Sequence, residues 1–344
     1  MATILSFKPK QVVKKLLLAL PERSRDIITK RYGLGNNPEQ MTLDAIGKNY
    51  GITRERVRQI ENHALGVIRK SKNYLEEKVS FEELEKIIHS LGGITVEQDL
   101  LDFVSKDKSV QSQIDFLLVV GNPFKKIKED EDFKHRWFID ENLAGKIQES
   151  LKKLYENLKD NDLVSEQEIV KVFLGYIEDV SEQYKTEEIC KRWLCISKKI
   201  SKNPLGEWGK SESSNINTKG MRDYAYLVIR KHGSPIHFRE VAKAITTVFN
   251  KKAHVATTHN ELIKDPRFVL VGRGLYALSE WGYMNGVVKD VIKNLIEKNG
   301  PMTKQEVVEK VMKERYVKEN TIIINLQNKK FFKKNKDNKY EIIK

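Results

Sequence analysis

The chain has 344 residues, of which 32% are charged and 40% are hydrophobic, a balance typical of a globular protein of two or more domains and not of a disordered one. No apolar run of about 18 residues is present, which excludes a membrane-spanning helix, and the first residues lack the pattern of a secretory signal. The two cysteines, Cys190 and Cys195, are too few for a disulfide framework or a zinc site, so we expect buried thiols in a cytoplasmic protein.

The net charge of +14 is unevenly distributed along the chain. Residues 1–79 carry 16 basic and 8 acidic side chains, residues 80–219 carry 21 and 27, and residues 220–344 carry 25 and 13. Two basic ends around an acidic middle indicate a polyanionic partner at each end. Excess charge alone, however, supports only non-specific attraction to phosphate.

Residues 42–70 have the pattern of a helix-turn-helix. Thr42 is predicted to cap a short helix that ends near Asn49, and Gly51 supplies the conformation of a tight turn. Thr53 is predicted to cap a second, longer helix. Its buried face is formed by apolar residues at three- and four-residue spacing, namely Val57, Ile60, Ala64 and Ile68.

Polar side chains lie together near the start of the second helix, on its exposed face. They are Arg54, Glu55, Arg58 and Gln59, called here the base-reading set. The N-terminal turns of this helix enter the major groove in helix-turn-helix proteins, where Arg bonds guanine, Gln bonds adenine and Glu accepts from cytosine. The alternative is a solvated charged helix face, but the order of helix, glycine turn and helix favours DNA reading.

Four stretches, residues 20–25, 30–34, 42–43 and 53–61, closely resemble region 4 of the primary-type sigma factors of bacterial RNA polymerase. The resemblance covers about residues 8–72 and implies recognition of the −35 promoter element and docking on the polymerase flap. It implies that the base-reading set contacts base edges. It also implies contacts to the DNA backbone from Arg23, Arg31, Thr42 and Arg56. His63 stands where the family usually has Lys, and residues 16–18 are expected in the core or on the flap-docking surface.

One departure from the sigma-factor pattern affects the expected activity. Region 4 ends the chain in sigma factors, whereas here it begins the chain, and no downstream segment resembles the promoter-melting region. We therefore expect that the protein does not open promoters as a sigma factor does.

Four downstream segments share a pattern of a capping residue, a Glu three positions later and an apolar helix face. The capping residues are Ser80, Ser165, His237 and Thr303. Ser or Thr completes a capping box in three of them, and His237 makes the third box imperfect. Helices are predicted before the last two boxes, and pairs of short strands after them, at 267–271 with 275–278 and at 331–334 with 339–343. Three helices followed by a β-hairpin are the winged-helix plan.

The predicted fold is mainly α with short β-hairpin wings, in which an N-terminal helix-turn-helix precedes tandem winged-helix-like domains. The predicted segments are a sigma region 4-like domain at 1–75, a winged-helix-like repeat at 76–140, a degenerate repeat at 141–210, a Ser- and Asn-rich linker at 211–220, and winged helices at 221–283 and 284–344.

Stretches 222–226, 237–242, 259–268 and 272–278 resemble the HARE-HTH domain, the winged helix shared by the delta subunit of bacterial RNA polymerase and several chromatin and restriction proteins. The resemblance implies a DNA-binding or polymerase-associated module and leaves the ligand open. Delta carries an acidic tail after this domain, whereas this chain continues into a basic winged helix. That departure favours DNA as the partner.

Three functions are compatible with these patterns. The leading one is a DNA-binding transcription regulator that reads a −35-like element, with double-stranded DNA and the RNA polymerase core as partners. The alternative is a delta-like polymerase accessory subunit that acts mainly by protein–protein contact. The third, a nucleic-acid enzyme, lacks support, because the acidic run at 129–132 is typical of a solvated turn. We expect no catalytic residue, cofactor, metal, small-molecule substrate or membrane partner.

Overall fold

The computed structural model describes residues 5–36, 38–283 and 286–343. The fold is mainly helical with short β-hairpins, as predicted, and those residues include seventeen α-helices and ten strands. They pack into two compact units. Unit 1 contains the described residues up to Ser201 together with Trp208–Glu212, and unit 2 contains Lys202–Glu207 and the described residues from Ser213 onward.

The N-terminal helix-turn-helix is confirmed, and its capping residues lie where they were predicted. Its helices are α1 (Pro9–Leu17), α2 (Glu22–Tyr32), α3 (Leu43–Tyr50) and α4 (Arg54–Lys70). Thr42 Oγ1 accepts a hydrogen bond from the Ala45 N–H, and Thr53 Oγ1 accepts one from the Arg56 N–H, both at 3.2 Å. Gly51 has φ of +62°, the left-handed conformation that ends α3 and turns the chain toward α4.

The first winged helix, residues 78–138, follows a short helix, α5 (Lys72–Glu76). Its elements are α6 (Lys78–Ser90), β1 (Ile94–Val96), α7 (Glu97–Val104), α8 (Lys108–Val120), β2 (Lys125–Ile127) and β3 (Arg136–Phe138). The capping box predicted at Ser80 is wrong, because α6 begins two residues earlier and Ser80 is buried inside it. The Ser80 hydroxyl donates to Glu77 instead.

The elements of the second winged helix, residues 141–210, where a degenerate repeat was predicted, are three α-helices and a β-hairpin, with a 3₁₀ helix before the third α-helix. They are α9 (Glu141–Asn157), α10 (Glu166–Tyr176), a short 3₁₀ helix (Glu182–Tyr184), α11 (Glu187–Leu194), β4 (Ile200–Lys202) and β5 (Trp208–Lys210). Its capping residue is confirmed, since Ser165 Oγ accepts from the Glu168 N–H at 3.3 Å.

The segment predicted as a linker, residues 211–220, contains packed side chains. Ser213, Asn215 and Ile216 are buried. In unit 2 the Arg267 guanidinium donates to Ser214 Oγ and to Asn215 Oδ1, each at 3.3 Å. Short polar side chains, which favour turns as well as linkers, here form a turn packed beside the third winged helix.

The third and fourth winged helices, residues 221–281 and 288–342, lie in unit 2. The third contains α12 (Met221–His232), β6 (Ile236–His237), α13 (Phe238–Phe249), α14 (Val255–Lys264), β7 (Phe268–Leu270), β8 (Leu275–Leu278) and a 3₁₀ turn (Ser279–Trp281). The fourth contains α15 (Val288–Asn299), α16 (Lys304–Glu314), α17 (Glu319–Leu326), β9 (Phe332–Lys334) and β10 (Tyr340–Ile342). Thr303 forms the predicted capping box with Glu306, and His237 caps α13 by accepting from the Arg239 N–H at 3.3 Å.

One pairing recurs in all four winged helices. The segment before the second helix of each domain is antiparallel to the second strand of its hairpin. The pairs are β1 with β3, Val164 with Trp208, β6 with β8, and Met302 with Tyr340. Four domains with one topology support the predicted repetition, although in the first domain the capping pattern at Ser80 lies in the first helix and not at the start of the second.

The helix-turn-helix shares a hydrophobic core with the first winged helix. Helix α8 packs against α1, α2 and α4, and Leu16 and Leu117 are fully buried in that core. The rings of Tyr32 and Phe116 meet edge to face with centroids 5.3 Å apart. The Arg69 guanidinium also donates to the carbonyl of Val119 at 2.7 Å, near the end of α8. The N-terminal domain is therefore closed on one side by a helix from the next domain.

Candidate nucleic-acid interface

The base-reading set lies on the open side of α4. All four of its side chains are exposed; those of Arg58 and Glu55 are 53% and 57% accessible. Val57, between them in sequence, is fully buried and packs with Ile27 and Ile46 in the small core of the helix-turn-helix. The buried valine fixes the rotation of α4, so its first two turns present guanidinium, carboxylate and amide groups to the surroundings.

Hydrogen bonds within α4 link three members of the base-reading set, Glu55, Arg58 and Gln59, to one another. Arg58 Nε and Nη2 donate to Glu55 Oε2 and Oε1 at 2.8 and 2.7 Å. Gln59 Nε2 donates to Glu55 Oε1 at 3.5 Å, and Gln59 Oε1 accepts from Arg56 Nη1 at 3.1 Å. The hydrogen bond from Arg58 lowers the pKa of Glu55, which is therefore ionised at neutral pH. Because exposed ion pairs are weak, these bonds cost little free energy to break.

A cleft of about 430 Å³ lies beside this face, between the start of α2 and the middle of α4. It is lined by Arg23, Ser24, Arg56, Gln59, Ile60 and His63. Two of the predicted backbone contacts, Arg23 and Arg56, therefore meet at one cleft next to Gln59. Pro21 precedes α2 and has no acceptor side chain for the first-turn N–H groups, and such helix starts favour anions.

The other two predicted backbone contacts lie outside this cleft. Thr42 is exposed, but its hydroxyl caps α3. Arg31 is half-buried: its Nη1 donates to the Met41 carbonyl at 3.1 Å, and its Nε lies 3.4 Å from Glu61 Oε1. Glu61 is buried and also accepts from the Tyr32 hydroxyl at 2.8 Å. Arg31 and Thr42 therefore stabilise the segment that leads into α3.

This part of the chain is similar to known proteins. Residues 16–70 match sigma-70, region 4. Similar relatives include the RNA polymerase sigma factor RpoS of Coxiella burnetii, 46% identical over 74 residues that make up 21% of this chain and 20% of the relative. The principal sigma factor HrdD of Streptomyces viridifaciens is 40% identical over 68 residues, 20% of each chain. The sigma factor RpoD of Helicobacter pylori is 42% identical over 60 residues, 17% of this chain and 9% of the relative.

The match to region 4 confirms the sigma-factor resemblance and limits it to the N-terminal domain. The chain spans a fifth or less of the length of these curated relatives. The matched residues include the whole base-reading set and every residue that lines the cleft. The resemblance of the third winged helix to HARE-HTH stays a prediction.

Two features of the region 4 surface were not visible in its sequence pattern. Ser24 joins the cleft because α2 begins after Pro21, which places Ser24 in its first turn. Tyr50, at the end of α3, lies under two cations: Arg23 Cζ is 5.8 Å and Lys30 Nζ is 5.0 Å from its ring centroid. The Tyr50 hydroxyl is hydrogen-bonded to Asp26. This ring therefore helps to position Arg23 at the mouth of the cleft.

The three leucines at the end of α1 divide between core and surface. Leu16 and Leu17 are buried in the core that α8 shares, whereas Leu18 is 59% exposed. Of the three residues expected in the core or at a flap surface, Leu18 alone is open to a partner.

Among the described residues, no three His, Cys, Asp or Glu side chains lie together as a metal site. No helix in that same part of the chain is long and apolar enough to cross a bilayer. Cys190 is a buried thiol outside any disulfide, and burial raises its pKa to about 11.

Proposed function

We propose that this protein is a DNA-binding transcription regulator that reads a −35-like promoter element through α4. One observation carries the proposal: the exposed base-reading set lies beside the Arg23–Arg56 cleft, within a segment that matches sigma-70 region 4. Arginine, glutamine and glutamate supply the bidentate and acceptor groups that distinguish base pairs in the major groove.

The cleft and the helix start complete a two-part contact with a duplex. Phosphates bound between Arg23 and Arg56 set the orientation of α4, while the base-reading set supplies the sequence preference. The likeness of region 4 to sigma factors supports an association with the RNA polymerase core. The proposal includes no catalytic step, cofactor, metal or small-molecule substrate, and it assigns the protein to the cytoplasm.

The second candidate is a delta-like accessory subunit that binds polymerase mainly by protein contact. The HARE-HTH resemblance of the third winged helix supports it, and so do exposed apolar side chains at the end of α1 and on α5 and α6. Leu18, Leu75 and Val79 are 59, 70 and 71% exposed. Lys15 Nζ forms an ion pair with Glu77 at 2.9 Å, which links α1 to the residue that precedes α6.

The test is selection from a random duplex library with the full-length chain, with and without purified core polymerase. We expect one enriched motif without polymerase. Sequence-independent binding in both arms would refute base reading. Co-purification with core polymerase from nuclease-treated lysate, together with no enriched motif in either arm, would instead establish the accessory role. The full chain is required because region 4 shares its core with α8.

A further inference from the structure

We propose that the hairpin of the fourth winged helix is a second DNA contact, which binds the phosphate backbone without regard to sequence. The surface consists of residues 329–339 and is called here the lysine hairpin. Its basic residues are Lys329, Lys330, Lys333, Lys334, Lys336 and Lys339, and its acidic residue is Asp337. The inference rests on the proposed function in one respect, that duplex DNA is the ligand.

Three of the six lysines have local partners or packing that fix them in the hairpin. Lys333 Nζ pairs with Glu341 at 3.1 Å across the β9–β10 ladder. Lys334 Nζ donates to Asn338 Oδ1 at 2.8 Å and lies 5.2 Å from the Tyr340 ring centroid. Lys339 is half-buried beside the ladder.

The other three lysines, Lys329, Lys330 and Lys336, are free to bind an anion. All three are exposed, and within the described residues none of them forms an ion pair. An uncompensated ammonium group on the surface is the group that neutralises a phosphate and releases its counterions.

Both turns that carry these lysines are held by asparagine side chains. Asn328 Oδ1 accepts from the Lys330 N–H at 3.1 Å, and Asn335 Oδ1 accepts from the Asp337 and Lys339 N–H groups at 3.0 Å. Strand β9 lies between the turns. At about 3.3 Å per residue, its three residues separate the turns by roughly 10 Å, over which one DNA strand presents about three phosphates.

The rest of the fourth winged helix does not offer groups for base reading. The exposed side chains of α17 include Glu319, Asn320, Thr321 and Ile324, so this helix begins with an acidic residue and lacks a basic one. The hairpins of other domains also differ. The turn of the third contains Arg273 as its basic residue, and the turn of the first contains the acidic run 129–132.

The composition of the lysine hairpin favours DNA over a protein partner. Lysine is depleted at the centre of protein–protein interfaces, where aromatic and arginine side chains are enriched. The aromatic residues Phe332 and Tyr340 are buried beneath the hairpin. Its outer surface is therefore a row of point charges, which suits contacts to phosphate that carry no sequence information.

The test compares two full-length triple variants with the wild type. The hairpin variant is Lys329→Ala, Lys330→Ala and Lys336→Ala. The control is Lys231→Ala, Lys298→Ala and Lys313→Ala, which removes the same charge from exposed positions on helices of unit 2. Equilibrium binding to a duplex of unrelated sequence is measured over a range of salt concentrations, and thermal unfolding verifies that each variant folds as the wild type does.

We expect the hairpin variant to bind every duplex more weakly and to show a shallower dependence of log K on log salt. The slope should fall by about 0.9 for each phosphate that the variant no longer neutralises, and by less in the control. Equal slopes and affinities for the two variants would overturn the inference. So would a hairpin variant that binds DNA normally but no longer binds core polymerase, which would assign the surface to protein.

The two proposals fail independently. If the wild-type chain binds all sequences equally and the hairpin variant binds DNA more weakly, base reading by α4 is refuted and the lysine hairpin remains a DNA contact. If the wild-type chain selects a sequence motif and the hairpin variant binds DNA as the wild type does, base reading by α4 stands and the lysine hairpin is refuted as a DNA contact.

Discussion

Arg58 and Glu55 lie one turn apart on α4, and each is the other's partner in the free protein. The bidentate pair holds the guanidinium plane close to the helix surface, near Gln59. Under the proposed function, duplex binding replaces this pair with bonds to bases. The protein should bind more weakly to sequences that offer no replacement acceptor, because Arg58 then loses its bond to Glu55 and gains none to a base.

Replacing Arg58 by Ala should weaken binding to the selected duplex by about 10- to 100-fold and relax the preference at one base pair. The matched control is Lys70→Ala, which removes one positive charge from the exposed far end of the same helix. Binding to a panel of single-base variants of the site measures both effects. An Arg58→Ala protein with an unchanged preference would remove Arg58 from the base-reading set.

At the scale of elements, α14 and the strand after it depend on a buried charge cluster. Arg267 Nη2 donates to Asp265 Oδ2 at 2.7 Å and to Asp223 Oδ1 at 2.9 Å, at the start of α12. Burial alone would raise the pKa of Asp265, but the hydrogen bonds from Arg267 outweigh it and hold that pKa below the ordinary value. The ionised carboxylate therefore stabilises the third winged helix.

A lowered carboxyl pKa contributes stability that is present above the unfolded-state pKa and disappears as the pH falls through the folded-state pKa. Asp265→Asn should therefore be less stable than the wild type at pH 7, and the difference should shrink below about pH 4. Urea unfolding at pH 7, 5, 4 and 3 measures it. Asp337→Asn, an exposed change in the same unit, serves as control. A difference that stays constant down to pH 3 would contradict this role.

Local sequence patterns predicted the elements that are stabilised locally. The caps at Thr42, Thr53, Ser165 and Thr303 were predictable because each hydroxyl bonds an N–H three residues away. Ser80 has the same spacing to a Glu, but it lies inside α6, the first helix of its domain. The second helix of that domain is α7, which follows β1, so the capping pattern did not mark its start. That the four side chains of the base-reading set are exposed followed from helical spacing.

Long-range packing was not predictable in the same way. Helix α8 is buried from Gln111 to Leu118 on all sides, so its polar residues show no amphipathic period. Asp115 accepts from Gln40 at 3.3 Å, a hydrogen bond between residues 75 positions apart, and burial raises the pKa of that carboxyl. The partners of Arg31 were likewise set by tertiary packing against Glu61 and Met41.

At the scale of the molecule, region 4 completes its main hydrophobic core only together with the first winged helix. A chain that ends at residue 75 lacks α8 and would expose Leu16, Tyr32, Leu65 and Ile68. We expect that fragment to unfold without a cooperative transition, or at a much lower temperature than the full chain, because the surface it exposes is apolar. Far-UV circular dichroism on heating measures this. A fragment 1–75 with the cooperativity and midpoint of the intact protein would contradict the shared core.

The claim that α4 reads bases is tested most directly by methylation interference on the selected duplex, since dimethyl sulfate places a methyl group on guanine N7 in the major groove. Wild-type protein should fail to bind when one particular guanine is methylated, and the Arg58→Ala protein should be indifferent to methylation at that guanine. Wild-type binding that tolerates methylation at every guanine, or the same interference pattern in both proteins, would contradict the account.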